Sequence, residues 1–391
     1  MVTLNSADKA LKSFYLQAIT DSLDTRVNPF LAKIQKTSNN VTGKDVVKLI
    51  RMGVNGGIAA GTETGNLPTA SGNKYIQFRS TLKNLYGTLE ISDKAVRASA
   101  NNEGAFVNLL NDEMEGLVKS ANYNFGRMLF GNGKGLLGIV DIVSASSESV
   151  YFISAKNLVE GMVVDFVEPS TRDVILSGVK IDEIDYTEKR ARLVSLNGGP
   201  VDFFGLSNAE VYLHGASGNE LTGLNAIFSN DPIYDCQRNY SLLRPYVKRE
   251  VGAISENVIQ EALDSIEEAS GGQVNFIICS WGVRRALLEY YKQFKTILPS
   301  VTLDCGTQAI SFNGIPVVVD RFCPEGTMYL LNTEDFKLHQ LCDWQWIEAE
   351  DGKILKQVPG KPVYTATLVK YAELMCEKPC GQGMLTGITE A

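Results

Sequence analysis

One stretch of the chain has the glycine spacing of a phosphate-binding loop. In FGNGKGLLGIV, residues 130–140, Gly133, Gly135 and Gly138 follow the pattern G-x-G-x-x-G, with Lys134 between the first two glycines. Such a loop binds the phosphates of a nucleotide when it follows a strand and opens a helix, because the free N–H groups of the helix N-terminus then face the anion. The elements on either side of the glycines therefore decide whether this chemistry is available.

The flanking elements have the opposite order. The segment IVDIV after the glycines is β-branched and predicts a strand. Apolar residues before the glycines recur at steps of three and four, which is typical of an amphipathic helix. They are Phe106, Leu109, Leu110, Met114, Leu117, Ala121, Phe125 and Met128. At a helix C-terminus, glycine ends the helix in the left-handed conformation, and the helix dipole disfavours a phosphate. We predict that no cofactor binds here and that the glycines form a helix-terminating turn, made of Gly131, Gly133, Gly135 and Gly138.

Residues for catalysis or metal binding are few. The two histidines, His214 and His339, lie in predicted strands without a catalytic motif around them, and the seven cysteines have no repeated spacing. Cys279 precedes a predicted helix, whose N-terminus would stabilise a thiolate, but a histidine partner would have to fold in from a distance. We predict no catalytic residue and no metal, and we expect reduced thiols in cytoplasm-like conditions.

Length and charge limit the class of protein. The chain of 391 residues is long enough for two or three domains, and its net charge of −8 argues against a general nucleic-acid binder. Residues 1–52 contain eight Lys or Arg against four Asp or Glu, whereas residues 145–215 contain eleven acidic against six basic residues. No apolar run reaches membrane-spanning length, so we expect no membrane association.

The first part of the chain predicts a helix followed by an unusual hairpin. Residues 6–35 have a helical apolar pattern that Ser6 would cap and Pro29 interrupts. Residues 52–92 are rich in glycine and predict two long strands around a loose tip near 65–72, with a bend near Asn84. A hairpin of this length cannot build its own core. It is either a flexible surface loop or rests on another molecule.

The remaining segments predict a barrel, a mixed domain and a long strand. Residues 145–215 contain short alternating strands between Gly, Asn and acidic turns, which favours a small closed β-barrel. Residues 216–332 alternate helices with strands, as in an α/β or α+β domain, and include the hairpin signal Asn313-Gly314. The segment from Lys361 to Met375 predicts one long strand.

The order of these segments resembles the major capsid proteins of tailed bacteriophages, whose fold is named after phage Hong Kong 97. The stretches that carry the resemblance are similar to the returning arm of the family's extended E-loop, its spine helix with the glycine end, a segment of its axial domain and its long terminal strand. In the same order they read FRSTLKNLYGTLEISDKAVRAS, FVNLLNDEMEGLVKSANYNFGRMLFGNGKGLLGIV, FNGIPVVVDRFCPEGTMYLLNTEDFKL and KPVYTATLVKYAELM.

The resemblance implies an α+β chain with the Hong Kong 97-like major capsid fold and an inserted small β-barrel domain. The implied segments are an N-terminal arm (1–52), the E-loop hairpin (53–92), a peripheral domain with the spine helix (93–144), the barrel (145–215), an axial domain (216–332) and a return to the peripheral domain with the terminal strand (333–391). The E-loop residues implied to contact a neighbouring subunit are Asn66, Leu67, Lys74, Ile76, Phe78 and Arg79.

The implied function is assembly rather than catalysis. In the family, subunits form pentamers and hexamers that tile an icosahedral shell around double-stranded DNA, and the E-loop lies over the neighbouring subunit. The implied partners are the chain itself, packaged DNA held by non-specific contacts, and scaffolding, portal and decoration proteins. The implied location is the virion capsid, assembled in the cytoplasm of a bacterial host. We further expect the acidic barrel to project from the outer surface, away from DNA.

Covalent cross-linking and two alternative functions remain to be weighed. Some family members join the E-loop to a neighbour by a Lys–Asn isopeptide bond; Lys74 and Lys83 are available, but the terminal strand from Val363 to Lys370 has no Asn, which predicts a non-covalent shell. An encapsulin-type bacterial nanocompartment is the alternative with the same fold. A cytoplasmic nucleotide-dependent enzyme that uses Gly133 to Gly138 is the alternative from a different class.

Overall fold

A computed structural model of the chain describes residues 28–94, 103–143, 149–196, 201–203, 205–294, 300–302, 308–348 and 352–391. Within these ranges the α-helices are α1 (Glu103–Phe130), α2 (Leu224–Ile227), α3 (Glu256–Ser270) and α4 (Trp281–Phe294). Short 3-10 helices cover Leu31–Lys33, Ser241–Leu243, Thr333–Asp335 and Pro379–Gly381.

The strands of the described ranges form four sheets. In chain order they are β1 (Gln35–Thr37), β2 (Val41–Thr42), β3 (Asp45–Met52), β4 (Lys74–Thr81), β5 (Lys83–Ser92), β6 (Leu136–Val143), β7 (Ser149–Phe152), β8 (Val163–Val167), β9 (Val174–Asp185), β10 (Arg190–Ser195), β11 (Glu210–Leu213), β12 (Tyr246–Lys248), β13 (Phe276–Cys279), β14 (Ser300–Thr302), β15 (Gln308–Phe312), β16 (Ile315–Val319), β17 (Met328–Leu331), β18 (Phe336–Trp346), β19 (Lys356–Gln357), β20 (Val363–Cys376) and β21 (Gly383–Leu385).

The chain divides into two compact units. Arg127–Asn225 forms one, called here the barrel unit, and Met1–Gly126 together with Ala226–Ala391 forms the other, the main unit. In the barrel unit six strands close in the order β10-β7-β6-β11-β8-β9 around fully buried apolar side chains such as Val140, Phe166 and Val211. The barrel begins with β6, upstream of the boundary at residue 145 that the sequence predicted, because β6 pairs with both β7 and β11.

A five-stranded sheet of the main unit includes the long terminal strand. Its order is β1-β18-β20-β19, and β5 pairs with β20 in an antiparallel register from Val363 opposite Ser92 to Ala372 opposite Lys83. A Cβ on Gly87 of β5 would lie 3.1 Å from the Leu117 side chain of α1, so the missing side chain lets the helix approach the sheet closely.

The main unit also contains a seven-stranded sheet. Its order is β12-β21-β17-β13-β16-β15-β14. The Ser255 side chain caps α3 by accepting a hydrogen bond from the Val258 N–H, and Gly271 ends that helix at φ 63°. Strand β21, near the end of the segment 333–391, lies between β12 and β17 of this sheet.

The predicted helix over residues 6–35 is only partly within the described residues. Residues 1–27 lie outside them. The described end differs from the prediction: Leu31–Lys33 is a 3-10 helix and β1 follows it, paired in parallel with β18. The Asn28 side chain accepts a hydrogen bond from the Leu31 N–H at 3.2 Å, and pairing with β18 replaces the helix after that turn.

Candidate subunit-contact hairpin

Strands β3 and β4 form the hairpin that the sequence predicted near this position, but with different arms. They pair antiparallel from Asp45 opposite Thr81 to Met52 opposite Lys74. The first arm therefore ends at Met52, where the prediction had placed its beginning, because the β-branched residues precede the glycine-rich stretch. The predicted bend near Asn84 is a break at Leu82, after which β5 leaves the hairpin and pairs with β20.

Residues 53–73 connect the two strands without helix or strand. Three large apolar side chains on this segment, Val54, Ile58 and Leu67, are 91%, 87% and 90% exposed. Asn66 is exposed as well. Uncharged apolar residues so far from any core of their own chain are typical of a contact surface. We call residues 53–73 the tip loop.

The predicted contact residues on β4 have different environments. Lys74 is exposed, with its ammonium 5.2 Å from the centroid of the Tyr240 ring, and Ile76 is half-buried. The Arg79 guanidinium donates to the Asp45 carboxylate, with Nε 3.1 Å from Oδ2, and this hydrogen bond is the main cause that lowers the pKa of Asp45. Arg79 therefore has a partner in its own chain, although its side chain is 55% exposed.

Phe78 lies in the core of its own chain, contrary to the prediction that it contacts a neighbouring subunit. Its side chain is 0% exposed, and its ring centroid lies 5.3 Å from that of Tyr234. Because β-strand side chains alternate, Phe78 points to the inner face while its neighbours Gln77 and Arg79 point outward. Phe78 is a core residue of this chain.

Two outward residues of the hairpin were missed by the sequence analysis. Leu49 on β3 and Tyr75 on β4 are 66% and 54% exposed and occupy diagonal positions on one face, since Leu49 pairs with Gln77 and Arg51 with Tyr75. The alternation of side chains along β3 could have indicated a strand with an outward face, but the prediction assigned this segment to the N-terminal arm. These two residues add apolar surface to an outward face that also carries Gln77, Arg79 and Arg51.

The glycine turn follows α1, which ends at Phe130. Gly133 and Gly135 have φ of 82° and 86°, in the left-handed region that favours glycine. Gly138 is not part of the helix-terminating turn, contrary to the prediction, because it lies in β6. A Cβ at this position would be 3.0 Å from the Ser154 carbonyl oxygen. The small size of Gly138 thus permits close packing within the barrel rather than a turn.

A carboxylate occupies the region where a phosphate would need positive charge. The Glu220 carboxyl carbon lies 3.1 Å from the position of a Cβ on Gly135. Arg127, in the last turn of α1, binds Glu220 through both terminal nitrogens, and the two side chains are 4% and 2% exposed. This buried pair ties the helix end to the loop before Gly223. The helix C-terminus and Glu220 both disfavour an anion, which argues against nucleotide binding at these glycines.

The remaining candidates for chemistry lack catalytic geometry. The His214 Nδ1 atom lies 2.8 Å from Asp165 Oδ1, and Ser177 Oγ faces the same ring nitrogen at 3.5 Å, whereas a triad uses opposite ring nitrogens. Burial opposes ionisation of Asp165, but hydrogen bonds from His214 and from backbone N–H groups outweigh it and lower the pKa.

His339 and Cys279 are buried in the main unit. Burial lowers the pKa of His339, whose Nδ1 atom lies 3.0 Å from the Asn39 carbonyl oxygen. Burial raises the pKa of Cys279 to about 12, so the thiolate expected at the start of α4 does not form at neutral pH. Among the described residues, no group of three or more His, Cys, Asp or Glu is arranged to hold a metal. No helix in the described ranges is long and apolar enough to cross a membrane.

The chain is similar to known proteins in structure and not in sequence. No family model matches the sequence, and no curated protein matches it. Among solved structures, the capsid asymmetric unit of cyanophage A-1(L) matches 92% of this chain and 91% of that chain, with 11% identity and a TM-score of 0.55. The chain has the Hong Kong 97-like capsid fold. The resemblance to tailed-phage major capsid proteins is thus confirmed at the level of the fold.

Two further matches describe the range of proteins with similar structures. A solved structure of Gordonia phage Cozz matches 94% of this chain and 88% of that chain, with 10% identity and a TM-score of 0.48. The holo-SrpI encapsulin complex from Synechococcus elongatus matches 95% of both chains, with 10% identity and a TM-score of 0.45. The β3–β4 hairpin with its tip loop occupies the place in the chain order at which the resemblance implied the E-loop.

Proposed function

We propose that this chain is a tailed-phage major capsid protein that assembles through pentamers and hexamers into an icosahedral shell around double-stranded DNA. The Hong Kong 97-like fold supports this proposal, and the exposed tip loop is the observation that carries it. Structureless loops longer than about 15 residues are uncommon in compact domains unless they bind something. In a shell, a second copy of the chain would cover the apolar side chains of this loop.

The hairpin has the surface expected of such a contact. Val54, Ile58 and Leu67 on the tip loop add to the exposed apolar surface of Leu49 and Tyr75. Burying a large aliphatic side chain contributes on the order of 1.5–3 kcal/mol. A contact in which the E-loop of one copy rests on a different surface of the next is heterologous, and such contacts close into rings. Pentamers and hexamers are rings of this kind.

The roles of the other segments are part of the proposal. The barrel unit is an insertion that projects from the outer surface of the shell, which its excess of acidic residues supports because packaged DNA would repel it. The basic segment 1–52 contacts neighbours or DNA, for which Lys and Arg suffice. Scaffolding, portal and decoration proteins are the further partners, and the shell forms in the bacterial cytoplasm. A protease added to intact shells should cut the barrel first if it projects outward.

The proposed shell is non-covalent. The strand segment from Val363 to Lys370 provides no Asn to receive Lys74 or Lys83. Mature particles boiled in SDS should therefore release the chain at its monomer mass. A ladder of cross-linked subunits would show that another acceptor is used.

Negative-stain electron microscopy of the purified full chain tests the function directly. We expect capsomer rings or spherical particles. A monomer in light scattering, with the tip loop protected from hydrogen exchange by its own chain, would contradict the proposal. The contents of particles produced in the native host distinguish the two shells of this fold: packaged DNA supports a capsid, and a protein cargo supports an encapsulin instead.

A further inference from the structure

A tight turn next to the E-loop has an unusual backbone. Tyr234 and Asp235 have φ of 53° and 59°, both in the left-handed region. They are the central residues of a turn closed by reciprocal backbone hydrogen bonds between Ile233 and Cys236. Two-residue turns of this kind prefer Asn-Gly, because a Cβ is disfavoured at positive φ. Such conformations persist where the surrounding contacts require them.

The contacts of Tyr234 supply that requirement. Its ring packs against Phe78, its carbonyl oxygen accepts a hydrogen bond from the Arg79 N–H at 3.2 Å, and its hydroxyl oxygen accepts one from the Cys376 N–H at 2.8 Å. The side chain is 5% exposed. Tyr234 therefore joins β4 of the hairpin to the end of β20 in the same unit. We call these three contacts the Tyr234 clamp.

Both strands of the hairpin are held at the same level. On β4, the Cys236 thiol lies 3.4 Å from the Gln77 carbonyl oxygen. On β3, the Lys48 ammonium forms an ion pair with Glu377, the residue after Cys376. These contacts all lie near the middle of the paired strands, and the exposed tip loop begins beyond them.

Arg238 keeps the turn in place. Its guanidinium donates to three backbone carbonyl oxygens, those of Asp231 at 3.0 Å, Leu243 at 2.7 Å and Ala226 at 2.7 Å. One side chain thus organises the irregular segment that carries Tyr234. The segment that supports the hairpin is therefore itself held in place by hydrogen bonds within the subunit.

We propose that the Tyr234 clamp fixes the direction of the E-loop within each subunit before assembly. This inference rests on the proposed function. A hairpin whose paired strands are already ordered loses less conformational entropy when its tip loop binds a neighbour. The clamp therefore favours assembly. The shell then uses the same hairpin direction that the single subunit has.

Hydrogen exchange of the unassembled full chain tests the clamp. Tyr234→Asn keeps a residue that tolerates the left-handed turn but removes the ring and the hydroxyl. We expect amides in β3 and β4 to exchange at least about tenfold faster in this variant, while amides in the barrel unit are unchanged. Asp235→Gly is the matched control, since it relieves the turn and leaves the clamp intact, and its hairpin should exchange no faster than that of the native chain. Unchanged exchange in Tyr234→Asn overturns the proposal.

A disulfide staple tests whether the shell keeps this direction. Gln77→Cys puts a second thiol on the residue whose backbone carbonyl oxygen lies 3.4 Å from the Cys236 thiol, and oxidation, with the disulfide verified by mass spectrometry, locks β4 to the turn. We expect the oxidised variant to assemble with the same yield as after reduction. Assembly only after reduction would overturn the proposal, because the hairpin would then have to leave the clamp. This staple also decides the question if Tyr234→Asn fails to fold.

Controls separate the clamp from the proposed function. Gln77→Ser removes the new thiol and should assemble equally with and without oxidant. If the native chain forms no particles at all, the proposed function fails, while the exchange rates of β3 and β4 still decide whether the clamp exists.

Discussion

The barrel unit and the β3–β4 hairpin are two β-structures that differ in the exposure of their apolar side chains. The barrel closes six strands on themselves around a core of fully buried apolar side chains, and leaves single ones such as Ile142 and Val174 exposed. The hairpin belongs to a three-stranded sheet, β2-β3-β4, and exposes the apolar residues of its tip loop. A closed barrel has no free edge, whereas this small sheet leaves its tip loop uncovered by its own chain. Under the proposed function, one copy completes the barrel by itself, and a second copy covers the tip loop of the hairpin.

The largest effect is expected in the barrel. Phe166→Ala removes a fully buried ring from its core and should lower the free energy of unfolding of the subunit by about 3–5 kcal/mol, measured by urea unfolding. Ile142→Ala, at a 60% exposed position on the same barrel, is the control and should cost far less. A loss below about 1 kcal/mol for Phe166→Ala would mean that the barrel does not depend on its own core.

A similar but slightly smaller loss is expected where α1 meets the loop before Gly223. Arg127→Leu leaves the Glu220 carboxylate buried without its partner, which should cost about 3–4 kcal/mol in urea unfolding. The double variant Arg127→Leu with Glu220→Leu removes both charges and should recover most of that loss. If the double variant is as unstable as the single one, the pair contributes through packing and not through charge.

The support beneath the hairpin should respond to pH. Burial raises the pKa of Asp335 to about 6, and its carbonyl oxygen accepts a hydrogen bond from the Glu377 N–H at 2.8 Å. Because this pKa is above the value of 3.8 for an unperturbed Asp, the native state holds the proton more tightly than the unfolded state. The stabilisation is complete below about pH 4 and is lost as the pH rises through 6.

Asp335→Asn removes this dependence on pH. The variant should be more stable than the native chain by about 1–2 kcal/mol at pH 7.5, an amount reduced for partial solvent exposure, and should show no gain at pH 4. Thermal unfolding at a series of pH values from 4 to about 8 measures the difference. A gain that stays constant across this range would place the effect in packing rather than in titration.

The smallest effect on subunit stability is expected at the tip loop. Leu67→Ser should change the free energy of unfolding of the unassembled chain by less than about 0.5 kcal/mol, because the side chain is 90% exposed. The yield of sedimenting particles should nevertheless fall at least about tenfold. Thr64→Ser, at another exposed position of the tip loop outside the predicted contact residues, is the matched control. If Leu67→Ser destabilises the isolated subunit, the loop packs on its own chain and the contrast with the barrel disappears.

Much of the fold could be read from the sequence where the signal is local. Ser255 and Gly271 bound α3, the Asn313-Gly314 turn joins β15 to β16, and α1 ends one residue before Gly131. Each of these features depends on residues a few positions apart, so spacing and residue type suffice to predict them. The candidate site was predicted less well. Asn66, Leu67 and Lys74 are exposed as a contact would require, but Phe78 is a core residue.

The sequence by itself determined the long helix, its glycine end, the terminal strand and the glycine-rich stretch that cannot form a core. Only the tertiary structure decided which strands pair: β5 with β20, β6 within the barrel, and β21 between β12 and β17. It alone placed Phe78 against Tyr234. Strand partners and the buried face of a hairpin are set by burial between distant segments, and no local period of the sequence encodes that choice.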